Sequence, residues 1–435
     1  MNRRDFIRKS AIAGVGLTMA RGALAQAPAS KLNDLQIAIV GTGKQGLVLL
    51  RDATKIPNVR FRAVCDIWGY SQTYASNFLE KSGQPVTVYS DYLEMLDKES
   101  DLDAVIVATP DFVHAPVTIA ALKAGKHVYC EKEMSNSLEA ARDMVTTARE
   151  TGKLLQIGHQ RRSNPRYQHA LQMITKDKLL GRITHVQGQW NRSQRQEGGW
   201  SKKWEMSKED LERYGYGTME RFRNWRNYKA FSGGPIADLG SHQIDIFNWF
   251  LSCPPSSVMA TGGLDYYDTG EWYDNALALY DYKPAWGPVR GFYQVANTTS
   301  HNGYYETFMG DEGSLVISED VTKGHIFREL TAKRREWEDE ADLVSTMGRE
   351  AIELKIGESR SKMGGNKEGE ELGEGTTEKA IHQLHLENFL DAIRNGTPLT
   401  CPGEVGYETA VTVLRVNDAI EARRALDFAP EDFHV

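Results

Sequence analysis

The chain has 435 residues, 40% hydrophobic, 26% charged and 9% aromatic, with a formal net charge of −7. That length is enough for two ordinary domains with full hydrophobic cores, and the acidic balance argues against a nucleic-acid partner. Four cysteines, Cys65, Cys130, Cys253 and Cys401, are scattered without metal-type spacing. No metal site is expected; buried free thiols are one reading and a single disulfide the other.

The N-terminus comes first in chain order. Arg3-Arg4-Asp5-Phe6-Ile7 precedes a Gly/Ala-rich apolar run, Ala11 to Ala20, and Ala23-Leu24-Ala25 has the small-x-small form of a cleavage site. Residues 1–25 look like a twin-arginine signal peptide, which predicts export to the periplasm by the twin-arginine (Tat) machinery and a mature chain starting near Gln26. The apolar run is too short for a membrane span, and no later stretch reaches the roughly 18 uninterrupted apolar residues a span needs. No membrane span is expected.

Leu35 to Gly46, LQIAIVGTGKQG, is an apolar strand run that empties into a Gly-x-Gly-x-x-Gly turn. Gly41 allows the tight turn, Gly43 lets the backbone approach a pyrophosphate, and Gly46 lets the next helix pack close to the strand. Lys44 and Gln45 open that helix, whose free N–H groups face the phosphate charge. Asp66 ends the next apolar run about 20 residues on, where a carboxylate accepts ribose hydroxyls and repels a 2′-phosphate. NAD is therefore expected over NADP.

Through residues 32–158 apolar runs alternate with amphipathic helical patterns, the signature of βαβ units and a doubly wound parallel sheet. Strands are predicted at Leu35 to Val40, Arg60 to Asp66, Val86 to Tyr89, Ala104 to Ala108, His127 to Cys130 and Leu154 to Ile157. Helices fit at Gln45 to Thr54, Val113 to Ala124 and Leu138 to Glu150, with Gly125 and Gly152 as stops. Residues 159–435 read differently. A helix, Pro165 to Ile174, is followed by strands Ile183 to Trp190, Ala276 to Tyr282, Val289 to Ala296, Tyr304 to Met309 and Ser314 to Ile317, with few helices between the last ones. An antiparallel sheet follows, in an α+β domain.

Between them, Arg192 to Ala230 is a long aromatic and basic loop, and loops of that length are functional or disordered. Its aromatic content favours function. Lys333 to Lys379 is charge-dense, and residues 365–379 lack the apolar content to fold alone, so a mobile loop is expected there. Two helices, Ala380 to Asn395 and Glu404 to Ala425, close the chain.

Two constellations carry chemistry. HVYCEKEM places Glu131 and Lys132 at the ligand-binding edge of the sheet, where the nicotinamide would lie. A Glu-Lys pair is ordinarily a solvated feature, and its place after a buried strand argues otherwise. The second is GGPIADLGSHQIDIFNWF, Gly233 to Phe250. If Leu239 to Leu251 is helical, Asp238 and His242 project on one side, and His242 can accept a hydroxyl proton at working pH. The alternative makes Asp238 a helix cap and His242 an exposed face residue.

With GTGKQG, Asp66, ATPDFVHAPV at Ala108 to Val117, Glu131-Lys132, Gly234 to His242 with Asp245, and GDEGSLVI at Gly310 to Ile317 in order, the chain resembles the glucose-fructose oxidoreductase, inositol dehydrogenase and rhizopine-catabolism (Gfo/Idh/MocA) family. The resemblance implies a Rossmann domain, a C-terminal domain whose open sheet makes homodimer or homotetramer contacts, and a carbohydrate site between them. It implies that Lys132, Asp238 and His242 are catalytic, with Thr109, Pro110, His114 and Glu131 touching the cofactor. The family usually carries proline after Glu-Lys, whereas Glu133 stands here, which leaves the lysine's orientation open. Arg162 and Trp225 are read as sugar-contacting residues, with ordinary surface charge as the alternative for Arg162.

An exported enzyme that released NADH would lack an acceptor, so tightly bound NAD is expected. Two catalytic readings follow: an oxidoreductase moving hydride to or from a sugar, polyol or glycoside carbon, and a redox-assisted glycoside hydrolase or epimerase with recycled NAD. The second needs an extra base, looked for among Tyr or His residues of the Arg192 to Tyr228 loop. A non-catalytic dinucleotide sensor is the third reading, and intact Lys132, Asp238 and His242 speak against it.

Overall fold

The computed structural model describes residues 34–195, 197–320, 322–333, 343–346, 348–354 and 379–435. The signal-peptide reading, residues 1–25, and the expected mobile loop up to residue 378 lie outside the described residues.

Six strands, β1 (Leu35–Val40), β2 (Val59–Cys65), β3 (Thr87–Tyr89), β4 (Ala104–Val107), β5 (His127–Cys130) and β6 (Leu155–Ile157), form one sheet in the order β3-β2-β1-β4-β5-β6. Every pairing is parallel. β1 and β4 are buried along almost their whole length, as strands covered on both faces must be. The order reverses at β1, so the glycine turn after Val40 opens at the point where doubly wound sheets bind ligands.

The second sheet has ten strands in the order β14-β15-β13-β12-β11-β7-β10-β9-β8-β16. Its members are β7 (Ile183–Asn191), β8 (Pro255–Gly263), β9 (Asn275–Tyr282), β10 (Val289–Ala296), β11 (Tyr304–Gly310), β12 (Gly313–Ile317), β13 (Gly324–Arg328), β14 (Leu343–Thr346), β15 (Arg349–Glu353) and β16 (Leu426–Asp427). The pairings are antiparallel except β7 with β10, which run parallel. That pair needs a long crossover, and the aromatic segment, the helix Ser241–Leu251, β8 and β9 supply it. β8 was not foreseen because PSSVMATGG buries only Pro255 and Val258, so it shows no apolar alternation. Its place is set by register with β9.

The sequence division at residue 158 is crossed by the end of the chain. Leu386, Phe389 and Leu390 of the helix Ile381–Asn395 are buried with Ile37, Ile39, Leu49 and Tyr129 of the first sheet's layer. Ile157 N–H donates to the Cys401 carbonyl at 2.9 Å, and helix Gly403–Ala422 packs on the helix Leu138–Thr151. All four cysteines are free thiols, which removes the disulfide alternative.

Candidate functional site

The nucleotide cradle is made by backbone. Gly41 has φ +88°, a conformation that glycine adopts freely, and a Cβ there would sit 2.6 Å from the Ala108 carbonyl group. A Cβ on Gly46 would lie 2.0 Å from the Gly41 oxygen, so these two glycines are required by the protein's own packing. Gly43 differs: a Cβ there meets nothing within 4 Å. Its smallness serves no protein contact and leaves open space in front of the helix Lys44–Ala53, whose N-cap makes no side-chain hydrogen bond. Lys44 is exposed at the same end.

Asp66 sits beside this turn. Its Oδ2 accepts from Thr42 N–H at 2.7 Å and the Thr42 hydroxyl at 3.2 Å, and its Oδ1 accepts from Trp68 N–H at 2.9 Å. A carboxylate offers about four acceptor positions, so room for one further donor remains. Burial raises the Asp66 pKa, opposed by these hydrogen bonds and by the Arg223 charge. Thr109 Oγ1 is buried without a partner, next to Pro110 at the end of β4. Open space at Gly43, an uncapped helix N-terminus, an acid with spare capacity and an orphaned hydroxyl fit a dinucleotide.

Not every expected cofactor contact is free. Gln45 Nε2 donates to Glu131 Oε1 at 3.1 Å, and Glu131 also accepts from Tyr129 at 3.3 Å, so this pair braces the cradle against β5. The His114 ring is buried, with Nδ1 2.7 Å from the Glu133 carbonyl oxygen and Nε2 unpartnered. Glu133, in the place of the usual proline, follows a cis peptide bond and turns a buried carboxyl inward. Burial, above all, pushes its pKa up to about 8.

Lys132 is oriented all the same. Its Nζ donates to the Asp238 carbonyl oxygen at 2.5 Å, tying the end of β5 to the turn before the histidine helix. That turn, Ile236–Gly240, is π-helical, and the α-helix starts only at Ser241. The simple i, i+4 face expected for Asp238 and His242 is thus interrupted by a wide turn of a kind common at functional sites. Gly234, with φ +81° and its Cα against the Trp272 ring, starts the approach.

The Asp238 carboxylate faces cations. Arg226 Nε donates to Oδ1 at 2.9 Å and Arg192 Nη1 lies 3.7 Å from Oδ2. Burial would raise the Asp238 pKa, but Arg226, Lys132 and Arg192 together outweigh it and hold the carboxyl well below its usual range. His242 is buried, its ring 5.7 Å from that of Trp190 and its Nδ1 without a partner. Burial, then the charges of Lys132 and Arg161, keep its imidazole neutral. The arrangement combines an oriented ammonium, a neutral imidazole and an ionised acid: a site able to bind a hydroxyl and remove its proton.

The structure places both Arg162 and Trp225 in contacts within the protein. Arg162 makes a bidentate buried ion pair with Asp245, at 2.7 to 3.0 Å, and Thr409 caps the same carboxylate. Its guanidinium is therefore not an ordinary surface charge: Nε and Nη2 are spent on Asp245. Trp225 packs into the aromatic cluster with Arg226 over its ring at 4.2 Å, so it positions the arginine that reaches Asp238. The Arg192 to Tyr228 loop holds no histidine; of its three tyrosines, the Tyr214 hydroxyl donates to the Ser90 carbonyl at 3.4 Å, and the Tyr216 and Tyr228 rings pack against Phe231. Sequence reasoning missed Arg192 and Arg226, and it placed His159 at the cleft edge without a role. His159 is buried with both ring nitrogens unpartnered, and burial lowers its pKa to about 4. The available signal was that an acid destined for burial needs cations nearby.

Comparison with known proteins agrees with this architecture. Residues 35–159 match the oxidoreductase family, NAD-binding Rossmann fold, and residues 172–427 match its C-terminal alpha/beta domain. The chain belongs to the GFO_IDH_MocA oxidoreductase family, and its cofactor is NAD. A glycosyl hydrolase family 109 protein of Stenotrophomonas maltophilia is 34% identical over 197 residues, covering 43% of this chain and 41% of that one. An inositol 2-dehydrogenase of Rubrobacter xylanophilus is 33% identical over 135 residues, 31% of this chain and 37% of the relative. The chain thus aligns with less than half the length of these curated relatives. Among solved structures, the WlbA dehydrogenase of Bordetella pertussis, in complex with NADH and UDP-GlcNAcA, superposes with a TM-score of 0.66 at 17% identity, covering 91% of this chain and 99% of that one. A levoglucosan dehydrogenase complex with NADH gives 0.64 at 19% identity, over 91% and 99%.

Proposed function

We propose that this protein is an exported oxidoreductase that moves hydride between a sugar, polyol or glycoside CH–OH carbon and tightly held NAD. The observation that carries the reading is the Lys132 to Asp238 hydrogen bond, which draws the nicotinamide end of the crevice and the His242 helix into one cluster. Bound NAD supplies the hydride acceptor. Lys132 donates to the substrate oxygen and stabilises the charge that develops there, while neutral His242 takes the hydroxyl proton. The Asp238 carboxylate, kept ionised by Arg226, Lys132 and Arg192, holds the two guanidiniums, while its backbone carbonyl holds the ammonium. Arg192 and Arg226 then take the sugar-contacting role, since Arg162 is paired with Asp245.

Export through the twin-arginine route belongs to the same proposal, with retention of the cofactor as its functional counterpart. So does homo-oligomerisation. Met259 and Leu279 face each other across β8 and β9 and stay exposed, as does Leu277, an apolar sheet face that a second copy would cover. No helix among the described residues is long and apolar enough to cross a membrane.

A second reading is favoured by the similarity to a glycosyl hydrolase family 109 protein: oxidation, elimination and return of the hydride, with net glycoside cleavage. Its additional base is then His159 rather than a loop residue. Offering nitrophenyl glycosides and free sugars to the purified protein, while following nitrophenol and reduced-cofactor absorbance, separates the two. Net reduction supports the first; nitrophenol without net reduction supports the second; neither signal with any sugar tested rejects both.

A further inference from the structure

The aromatic segment of the second domain packs on the loops that flank the glycine turn. β2 and β4 flank β1, and the loops that leave them carry Asp66 to Trp68 and Thr109 to Phe112, the two walls beside the glycine turn. Trp68 shares one buried cluster with Leu211, Tyr216, Met219 and Phe231 of the segment, and the partly buried Phe112 packs against it. The Phe112 ring lies 5.7 Å from Tyr216 and 5.1 Å from Phe231, and Trp68 lies 5.8 Å from Phe222.

Polar contacts fasten the same seam. Trp68 Nε1 donates to the Trp204 carbonyl at 2.6 Å, Phe112 N–H donates to the Phe231 carbonyl at 3.3 Å, and Gly233 N–H donates to Asp111 Oδ2 at 3.0 Å. Arg223 stacks over the Trp68 ring at 4.4 Å, and its charge acts on Asp66. A segment that only connected β7 to the histidine helix would need none of these contacts. It is built across both walls of the crevice.

We propose that Lys202 to Phe231 is a nucleotide-binding element: it roofs the adenosine half of the crevice, Arg223 meets the nucleotide beside Asp66, and the dinucleotide leaves only when the segment lifts from Trp68 and Phe112. The proposal rests on the dinucleotide reading of the glycine cradle and explains how that cofactor is retained. Slow release follows because opening exposes an aromatic cluster and breaks the Trp68 to Trp204 bond together.

Hydrogen exchange of the full chain with and without NAD tests the roof. The expected result is exchange slowed about tenfold in residues 202–231 as well as in the glycine turn. Protection confined to residues 41–46 overturns the roof and leaves the dinucleotide site standing; protection at neither place overturns both. Release of NADH into excess NAD, followed by loss of tryptophan-to-NADH energy transfer, is the second measurement. Trp68→Phe, which removes the Nε1 donor to the Trp204 carbonyl, and Arg223→Ala should each speed release by about tenfold or more. Wild-type release rates in both variants overturn the proposal, and a variant that fails to fold leaves the exchange experiment to decide.

Discussion

The nucleotide cradle and the Lys132–Asp238–His242 cluster are built from different materials. The cradle is backbone: three glycines, a helix N-terminus and one acid, all within the first two strands and their turns. The cluster is side chain, gathered from β5, the end of β7, the aromatic segment and the histidine helix. Backbone shape responds to sterics, whereas a cluster of charges responds to every neighbouring charge. The first is therefore broken by adding atoms, and the second by removing a charge or changing pH.

The largest expected effects fall on the cluster. His242→Asn should lower kcat by about 10²- to 10⁴-fold with the fold retained, the usual contribution of a positioned acid or base. Near-wild-type turnover would end the catalytic assignment and favour the sensor reading. Arg162→Ala should cost about 3–5 kcal/mol of stability, measured by denaturant unfolding, because it strands the buried Asp245 carboxylate. A change within about 0.5 kcal/mol would place Arg162 at the surface after all.

The cradle offers a sharper contrast between two neighbouring glycines. Gly46→Ala should destabilise the protein itself, since its Cβ would meet the Gly41 oxygen. Gly43→Ala should leave the melting temperature of the nucleotide-free protein within about 2 °C while weakening NAD binding about tenfold or more in a titration. Equal effects of both on melting would contradict the open space at Gly43.

The smallest effects are the pH dependences. His159 has a folded pKa depressed to about 4 from an ordinary 6.5, so only the unfolded chain binds its proton between these values. Its stabilising contribution is full above 6.5 and is lost as pH falls through about 4. Glu133 runs the other way: its pKa rises from 4.5 to about 8, so stability is full below 4.5 and lost as pH climbs through about 8. Glu133→Gln should accordingly raise the melting temperature at pH 8 more than at pH 5. An equal shift at both values would show that the carboxyl is ionised in the fold.

The chemistry of the cradle was legible because each of its parts is local. Gly41, Gly43, Gly46 and Asp66 sit in and just after a strand whose apolar run dictates its burial, and turn sterics act on neighbouring residues. Lys132 and His242 were legible by motif, but their surroundings were not. Glu133 left the lysine's direction open, and the Asp238 carbonyl decides it from 106 positions away. Trp225 was singled out and Arg226, which contacts Asp238, was not, since a tryptophan signals binding from sequence and an arginine on a basic loop does not.

The sequence by itself determined the doubly wound sheet, the dinucleotide turn and the residues able to move a proton, because periodicity, glycine sterics and side-chain chemistry are properties of short stretches. Tertiary structure alone decided that Arg162 is locked to Asp245, that Arg192 and Arg226 flank Asp238, that the helix Ile381–Asn395 returns to the first sheet, and that the aromatic segment lies over Trp68 and Phe112. Each of these joins residues far apart along the chain, and which distant charge or ring becomes a neighbour is fixed by packing that no local pattern encodes.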